Sequence, residues 1–213
     1  MSGRTRGTDS PLDQNAAAAH PPAEPAEAEL VHAAQSGSRQ AFHCLVDRHQ
    51  EALFRLVVVR TRSRMDAEDI VQEVFIKAYA KLGRLKKPTA FRSWLYQIAL
   101  NKVRDHFRRK KVRAIFGSLD EMIEHDLPEA AQTPAGGYAQ VARKAFWTDF
   151  YQMLECLAKM EREVFLLRFF DELSINEISK TLGKGESTIK THLYRALRKV
   201  RHRAEAFDLE MEV

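Results

Sequence analysis

Residues 170–201 read FDELSINEISKTLGKGESTIKTHLYRALRKVR, and this stretch decides the fold class. Ser174 and Glu177 make an S-x-x-E capping box, in which a hydroxyl and a carboxylate satisfy the orphan backbone donors of a helix start. Ile175, Ile178, Ser179 and Leu182 follow at the spacing that keeps one helix face inward. Gly183 and Gly185 bracket a short turn, and a second helix begins near Glu186 with Ile189, Leu193, Ala196, Leu197 and Val200 as its inner face. That leaves Ser187, Thr188, Lys190, Thr191, Tyr194, Arg195, Arg198 and Lys199 to face outward or rim the core. Two helices about a tight turn read as a helix-turn-helix whose recognition helix starts at Glu186. The first turns of that helix carry short donors and a lysine able to reach base edges, and its last turns carry cations suited to phosphates. A basic face in an all-helical protein is also compatible with simple solvation, so the motif taken alone leaves both readings open.

Composition bounds the remainder. The chain has 213 residues, enough for one large domain or two small ones with modest cores. Lys and Arg number 34 against 29 Asp and Glu, a net charge of +5, which fits a polyanionic partner without requiring one. Cys44 and Cys156 are far apart and in no metal-like spacing, so a reducing, cytoplasmic setting is expected. No apolar run is long enough to span a membrane, and the first residues lack the order of a signal peptide. Neither a catalytic nucleophile, a phosphate-binding glycine loop nor a metal-ligand cluster is evident, so no enzymatic activity, cofactor or metal is expected.

Along the chain, residues 1–28 are rich in Ala, Pro, Ser and Gly and read as a disordered tail. Phe42, Leu45, Val46, His49, Leu53, Leu56 and Val57 line one helix face, with His49 as a satisfied, half-buried side chain rather than a metal ligand. The next helix is capped by Asp66, with Asp69 in its first turn. Ala67, Ile70, Val71, Val74, Phe75, Ala78, Tyr79 and Leu82 form its apolar stripe. The opposite face gathers Asp69, Gln72, Glu73 and an apolar Ile76, which hints at a binding surface. After the loop Gly83 to Thr89, a third helix buries Phe91, Leu95, Ile98, Ala99 and Val103, and its other side aligns Trp94, Gln97, Asn101, Arg104, Arg108 and Lys111. An aromatic beside an amide row and an arginine ridge resembles a stacking platform for single-stranded nucleic acid, although core packing is the commoner role of a lone tryptophan. Residues 114–137 are acidic and broken by prolines and glycines, as a flexible linker is. Helices then resume over about Tyr138 to Leu157 and Glu161 to Phe170. Phe146, Phe150, Met153, Leu154 and Leu157 face inward from the first, and Val164, Leu167 and Phe170 from the second, with Phe165 and Leu166 partly beside them. The fold class is all-α, in two helical domains at 29–113 and 138–213 joined by the acidic linker, the C-terminal one containing the helix-turn-helix.

The segments DAEDIVQEVFIKAY (Asp66 to Tyr79), FRSWLYQIALNKVRDHFRR (Phe91 to Arg109), EREVFLLRFFDELSINEISKTLG (Glu161 to Gly183) and TIKTHLYRALRKVR (Thr188 to Arg201) together resemble the extracytoplasmic-function (ECF) sigma factors, two-domain bacterial transcription initiation factors with a region 2 and a region 4. The resemblance covers about 41–113 and 148–203. It implies that Asp69, Gln72, Glu73 and Ile76 dock core RNA polymerase. It implies that Trp94, Gln97, Asn101, Arg104, Arg108 and Arg109, with the loop Gly83 to Thr89, receive the melted −10 strand of promoter DNA. It further implies that Glu186, Ser187, Thr188, Lys190, Thr191, Tyr194, Arg195, Arg198 and Lys199 serve the −35 duplex, and that an anti-sigma factor restrains the protein. The linker would run along the polymerase toward its RNA exit path. No domain is expected beyond Val213, so sensing would fall to a separate protein or to expression control.

This chain departs from the family pattern at three places. Thr61 to Met65 replace the usual glycine or proline turn, Leu100 stands where an arginine commonly precedes the asparagine, and Lys184 and Gly185 occupy a turn that usually offers a cap residue and an apolar one. The alternative is a helix-turn-helix regulator that binds duplex DNA without acting as a sigma factor. A response-regulator version of it needs alternating strands and phospho-acceptor acids ahead of the motif, and no such strands are legible here. A pure protein-interaction module that sequesters a partner is the remaining class.

Overall fold

The computed structural model describes residues 26–116 and 137–211. The described residues form helices and short turns, with no strand. The order is α1 (Glu27–Gln35), α2 (Arg39–Thr61), α3 (Arg64–Lys81), α4 (Phe91–Phe116), α5 (Gly137–Glu155), α6 (Lys159–Phe165), α7 (Ile175–Leu182) and α8 (Glu186–Met211). None of these helices is long and apolar enough to cross a membrane. Of the expected tail at 1–28 and the expected linker at 114–137, residues 1–25 and 117–136 lie outside the described residues, whereas 27–28, 114–116 and 137 are helical.

The first domain is α1–α4. α1 buries Leu30, Val31 and Ala34 against α2, and Glu27 at its start bonds the Nε2 of His49 at 2.7 Å. That contact satisfies the histidine as expected, although at 5% exposure it is buried rather than half-buried. α2 continues beyond the expected stripe to Thr61, where Arg62 takes a left-handed backbone (φ 58°) and reverses the chain. The cap of α3 is Ser63 rather than Asp66, since its hydroxyl accepts the Asp66 amide at 3.2 Å. Asp66 sits instead in the first turn, where its charge favours the helix dipole. Ala67, Ile70, Val74, Phe75 and Ala78 are buried as the stripe predicts, but Tyr79 is half exposed and meets Phe42 edge-on. In α4 the predicted inner residues Phe91, Leu95, Ile98, Ala99 and Val103 are all buried, joined by Tyr96 and Leu100. Burial of Leu100 accounts for an apolar side chain at that position: it faces the core.

The second domain is α5–α8, with Leu154, Leu157, Val164, Leu167, Ile178, Ile189 and Ala196 buried at its centre. Two expected core positions are corrected. Phe146 is 61% exposed while Tyr151 turns inward, and Leu197 stands at the surface. After Phe165 the helix widens into a π turn, Leu166–Phe170, closed by the Asp171 amide on the Leu166 carbonyl at 2.9 Å. Leu166, expected partly beside the core, is buried. Glu172 then adopts φ 56°, a left-handed conformation that costs a residue with a Cβ about 1–2 kcal/mol. α7 keeps the predicted capping box, with Ser174 Oγ accepting the Glu177 amide at 3.2 Å, and ends on Gly183 at φ 62°, where glycine avoids that cost. α7 also packs against α4, bringing the domains into contact.

Candidate functional site

Three surfaces carry the predicted residues. On α3, Asp69 and Gln72 are exposed, Ile76 is 64% exposed, and Glu73 is half-buried. The Lys102 ammonium donates to the Glu73 carboxylate and holds its carboxyl below the ordinary range, so this acid is tied to α4 rather than fully presented. Beside Ile76 lies a groove of about 930 Å³ walled by Phe42, Val46 and Phe54 of α2 and by Val71 and Phe75 of α3. Sequence reasoning found the α3 edge and missed the α2 wall. Phe42 and Val46 belong to the apolar stripe read on α2, and Phe54, beside Leu53, widens it toward α3. An open apolar groove rimmed by Gln50, Glu51, Glu68 and Gln72 suits a helical partner with apolar anchors and basic flanks.

The second surface is built on α4 and the segment before it. Residues 83–89 are shaped by two 3-10 turns, Leu82–Arg84 and Pro88–Ala90. Gln35 of α1 pins this segment, since its Nε2 donates to the carbonyls of Leu82 and Leu85, each at 2.9 Å. Nothing in the sequence pattern singled out Gln35, because an amide at a helix end has many fates. Gln97, Arg104, Arg108 and Arg109 are exposed and Asn101 is half-buried. Trp94 is half-buried against the core, its ring 5.9 Å from that of Phe91. Arg104 Nη2 donates to Asn101 Oδ1 at 2.6 Å, and Arg108 pairs with Asp105 at 3.1 Å. Exposed pairs of this kind are worth roughly 0–1 kcal/mol, so either arginine can exchange its partner for a phosphate at little cost.

The third surface is the start of α8. Gly185 opens it, its carbonyl accepting the Ile189 amide at 3.1 Å, which fits glycine at a cap position. Ser187, Thr188, Lys190, Thr191, Tyr194, Arg195 and Arg198 are exposed, with Tyr194 at 72%. Glu186 accepts from Asn176 Nδ2 at 3.0 Å and so joins α7 to the head of α8, while Thr191 Oγ1 donates to the Ser187 carbonyl at 2.9 Å.

Lys199 differs from its neighbours. It is half-buried, and its ammonium donates to Glu161 Oε2 at 2.6 Å, tying α8 to the first turn of α6. That hydrogen bond, despite the opposing effect of burial, holds the Glu161 carboxyl below the ordinary range. A depressed carboxyl contributes stability above its unfolded-state value, and that contribution is lost as pH falls through the folded-state value. Lys199→Met therefore lowers stability by about 1 kcal/mol near neutral pH, allowing for the partial exposure of the lysine. The difference from wild type shrinks in acid as Glu161 protonates. Urea unfolding at pH 7 and at pH 3.5 checks this, and a pH-independent difference would contradict it.

Comparison with known proteins follows the same division. Residues 45–113 match the family model described as Sigma-70 region 2, and residues 148–200 match that of Sigma-70, region 4. The chain is 31% identical over 167 residues to RNA polymerase sigma factor SigV of Bacillus subtilis, covering 78% of this chain and 92% of that protein. It is 32% identical over 171 residues to the ECF RNA polymerase sigma factor BldN of Streptomyces coelicolor, covering 80% of this chain but only 62% of that longer protein. The sigma factor CnrH of Cupriavidus metallidurans, solved in complex with the cytosolic domain of CnrY, superposes with a TM-score of 0.64 at 26% identity, over 85% of this chain and 99% of that one.

Proposed function

The chain belongs to the ECF-type RNA polymerase sigma factors and directs promoter-specific transcription initiation, and we propose that it divides this task among the three surfaces of its two domains. The α3 edge and the adjoining α2–α3 groove dock core polymerase, with Ile76 as the apolar anchor and Asp69, Gln72 and Glu73 as a polar rim. The 83–89 segment and the outer side of α4 receive the non-template strand of the −10 element. Unstacking a base there costs a few kcal/mol, which Trp94 and the Gln97 and Asn101 amides recover by contact, while Arg104, Arg108 and Arg109 hold phosphates. The first turns of α8 enter the major groove of the −35 duplex, with Glu186, Ser187, Thr188, Lys190 and Thr191 near bases or the adjoining backbone, and Tyr194, Arg195 and Arg198 along phosphates. Lys199 belongs to the same row but serves through Glu161 as an internal tie.

The observation that carries this reading is the sorting of exposed chemistry. Acid and amide side chains surround one apolar point on α3, cations and amides line α4, and short hydroxyls precede cations on α8. CnrH was solved with the cytosolic domain of CnrY, and by that likeness this chain is restrained in the cytoplasm by an anti-sigma factor. Run-off transcription from a promoter library, with core polymerase alone and with this protein, tests the reading. Discrete new start sites sharing two spaced motifs are expected, and polymerase binding without new starts would contradict it.

Trp94→Ala separates the strand-receiving role from packing. Base–aromatic stacking is worth about 1–3 kcal/mol per base, so promoter opening followed by permanganate reactivity should fall roughly tenfold while polymerase affinity holds. Equal loss of both would make Trp94 a packing residue only.

A further inference from the structure

Helix α1 lies ahead of residues 45–113, the stretch that matches region 2, yet it backs the segment that leads into α4. It packs on both 3-10 turns, Leu82–Arg84 and Pro88–Ala90, as well as on α2 and α4. Gln35, its last residue, reaches 47 and 50 positions along the sequence. One nitrogen, Nε2, donates both of its protons, to the Leu82 and Leu85 carbonyls at 2.9 Å each. The Leu82 oxygen also accepts the Leu85 amide at 3.0 Å, so both of its lone pairs are taken. At the other end of α1, Glu27 bonds His49, whose ring lies 5.4 Å from that of Phe91, the residue that opens α4. The helix is thus fastened twice, once to the core beneath α4 and once to the backbone ahead of it.

Leu82 is buried and Leu85 half-buried, whereas Gly83, Arg84, Lys86, Lys87 and Thr89 are exposed. The segment therefore has an inner side, held by two leucines and two bonded carbonyls, and an outer side of cations, a hydroxyl and a glycine. Carbonyl oxygens turned outward would repel phosphates and the acceptor edges of bases. Bonding two of them to Gln35 keeps the outer side for donors. Two bonds to a single amide also fix the distance between the carbonyls of residues 82 and 85, and with it the curvature of the turn. Without those donors the two oxygens must find water, because an unpaired backbone carbonyl is costly to leave inside.

Resting on the proposed role of this segment in receiving the melted −10 strand, we infer that Gln35 is a positioning residue for base selection. Through its two hydrogen bonds α1 sets the shape of the 82–85 turn, and that shape determines how sharply one base is preferred at the −10 position lodged there. Gln35 acts through the backbone rather than as a base contact. A turn held in one curvature admits only the base whose edge and size fit it, and a loosened turn admits several. Discrimination therefore depends on the two N–H donors of Gln35 and not on the bulk of its side chain.

Run-off transcription with the full chain, core polymerase and promoters that differ at single −10 and −35 positions reads this directly. In the wild type one −10 base should be preferred by the roughly ten- to hundredfold that a single mismatch costs. Gln35→Met keeps the shape but loses the donors, and should cut that preference about tenfold. Gln35→Glu sets a carboxylate against two carbonyls and should abolish it. Gln35→Lys restores an ammonium able to donate to both oxygens, and should bring the preference back to within about threefold of wild type. Preferences at −35 positions and affinity for polymerase should hold across the series. Amide hydrogen exchange over residues 82–90 of the free protein follows the segment itself, and should quicken in the Met variant and slow again in the Lys variant. Gln35→Met is the milder change and decides the matter should Gln35→Glu unfold α1. A −10 preference equal in wild type and the Met variant would overturn the inference. Equal loss in the Met and Lys variants would reduce Gln35 to packing, and a parallel loss of −35 preference would make the effect global; either overturns it too. If the wild type starts at no promoter, the sigma reading fails and the inference falls with it, whereas normal initiation with −10 preferences untouched by the series sinks the inference alone.

Discussion

Ile76→Asp should weaken binding to core polymerase about 30- to 100-fold, the loss of ~2–3 kcal/mol typical of a central anchor in an interface. The side chain is 64% exposed, so the fold gains a surface charge and loses almost no packing. At a docked interface the same change puts an unpaired carboxylate beside Asp69 and Glu73 at the mouth of an apolar groove, where desolvating it is costly. Ile76→Ala removes the anchor without adding the charge and should cost about a third as much. Titration of labelled protein with core polymerase, alongside circular dichroism to show an intact fold, measures both. Unchanged affinity in the aspartate variant would move the docking surface away from α3.

Ile189→Ala is expected to act through the fold instead. Ile189 is fully buried where α8 meets the second-domain core, and truncating such a side chain costs about 2–5 kcal/mol. A domain of this size has little reserve, so a large share of its stability is at stake. The melting temperature of the second domain should fall by several degrees or the domain should fail to fold. Start sites that depend on a −35 motif should disappear. Polymerase binding through α3 should persist, because the groove is built entirely from α2 and α3. Loss of polymerase binding to the same degree would show that the second domain supplies most of the docking energy.

The fold was legible wherever one helix face had a single periodic cover. The α3 stripe as far as Ala78, the α4 inner face and the Ser174 capping box all follow from local rules, and the chain obeys them. What escaped was set by partners remote in sequence. Arg60 falls in register with Leu53, Leu56 and Val57, and a charge on that stripe was a signal that something acidic must meet it, but not that Asp171, which it contacts at 2.9 Å, would come from another domain. The π turn that presents Asp171 replaces one hydrogen-bond spacing by the next, which apolar periodicity over so few residues cannot register. Phe146 and Tyr151 lie five residues apart and on different faces of α5, and the face that turns inward is the one met by partners remote in sequence, Phe170 of the π turn against Trp147 and Phe150, and Arg62 over the Tyr151 ring. On the candidate surfaces the exposed rows of α3, α4 and α8 were readable. The Lys199–Glu161 tie was not, since a lysine beside arginines looks alike whether it meets a phosphate or a carboxylate within its own domain.

The double hydrogen bond from Gln35 to the Leu82 and Leu85 carbonyls has an evolutionary consequence. The backbone proposed to frame a melted base is moulded by a helix outside the surfaces assigned to DNA. After gene duplication, drift in α1 alone could reshape that frame and give one copy a new set of promoters. The side chains assigned to DNA would remain identical in both, and lineages with matching recognition residues could therefore control different genes.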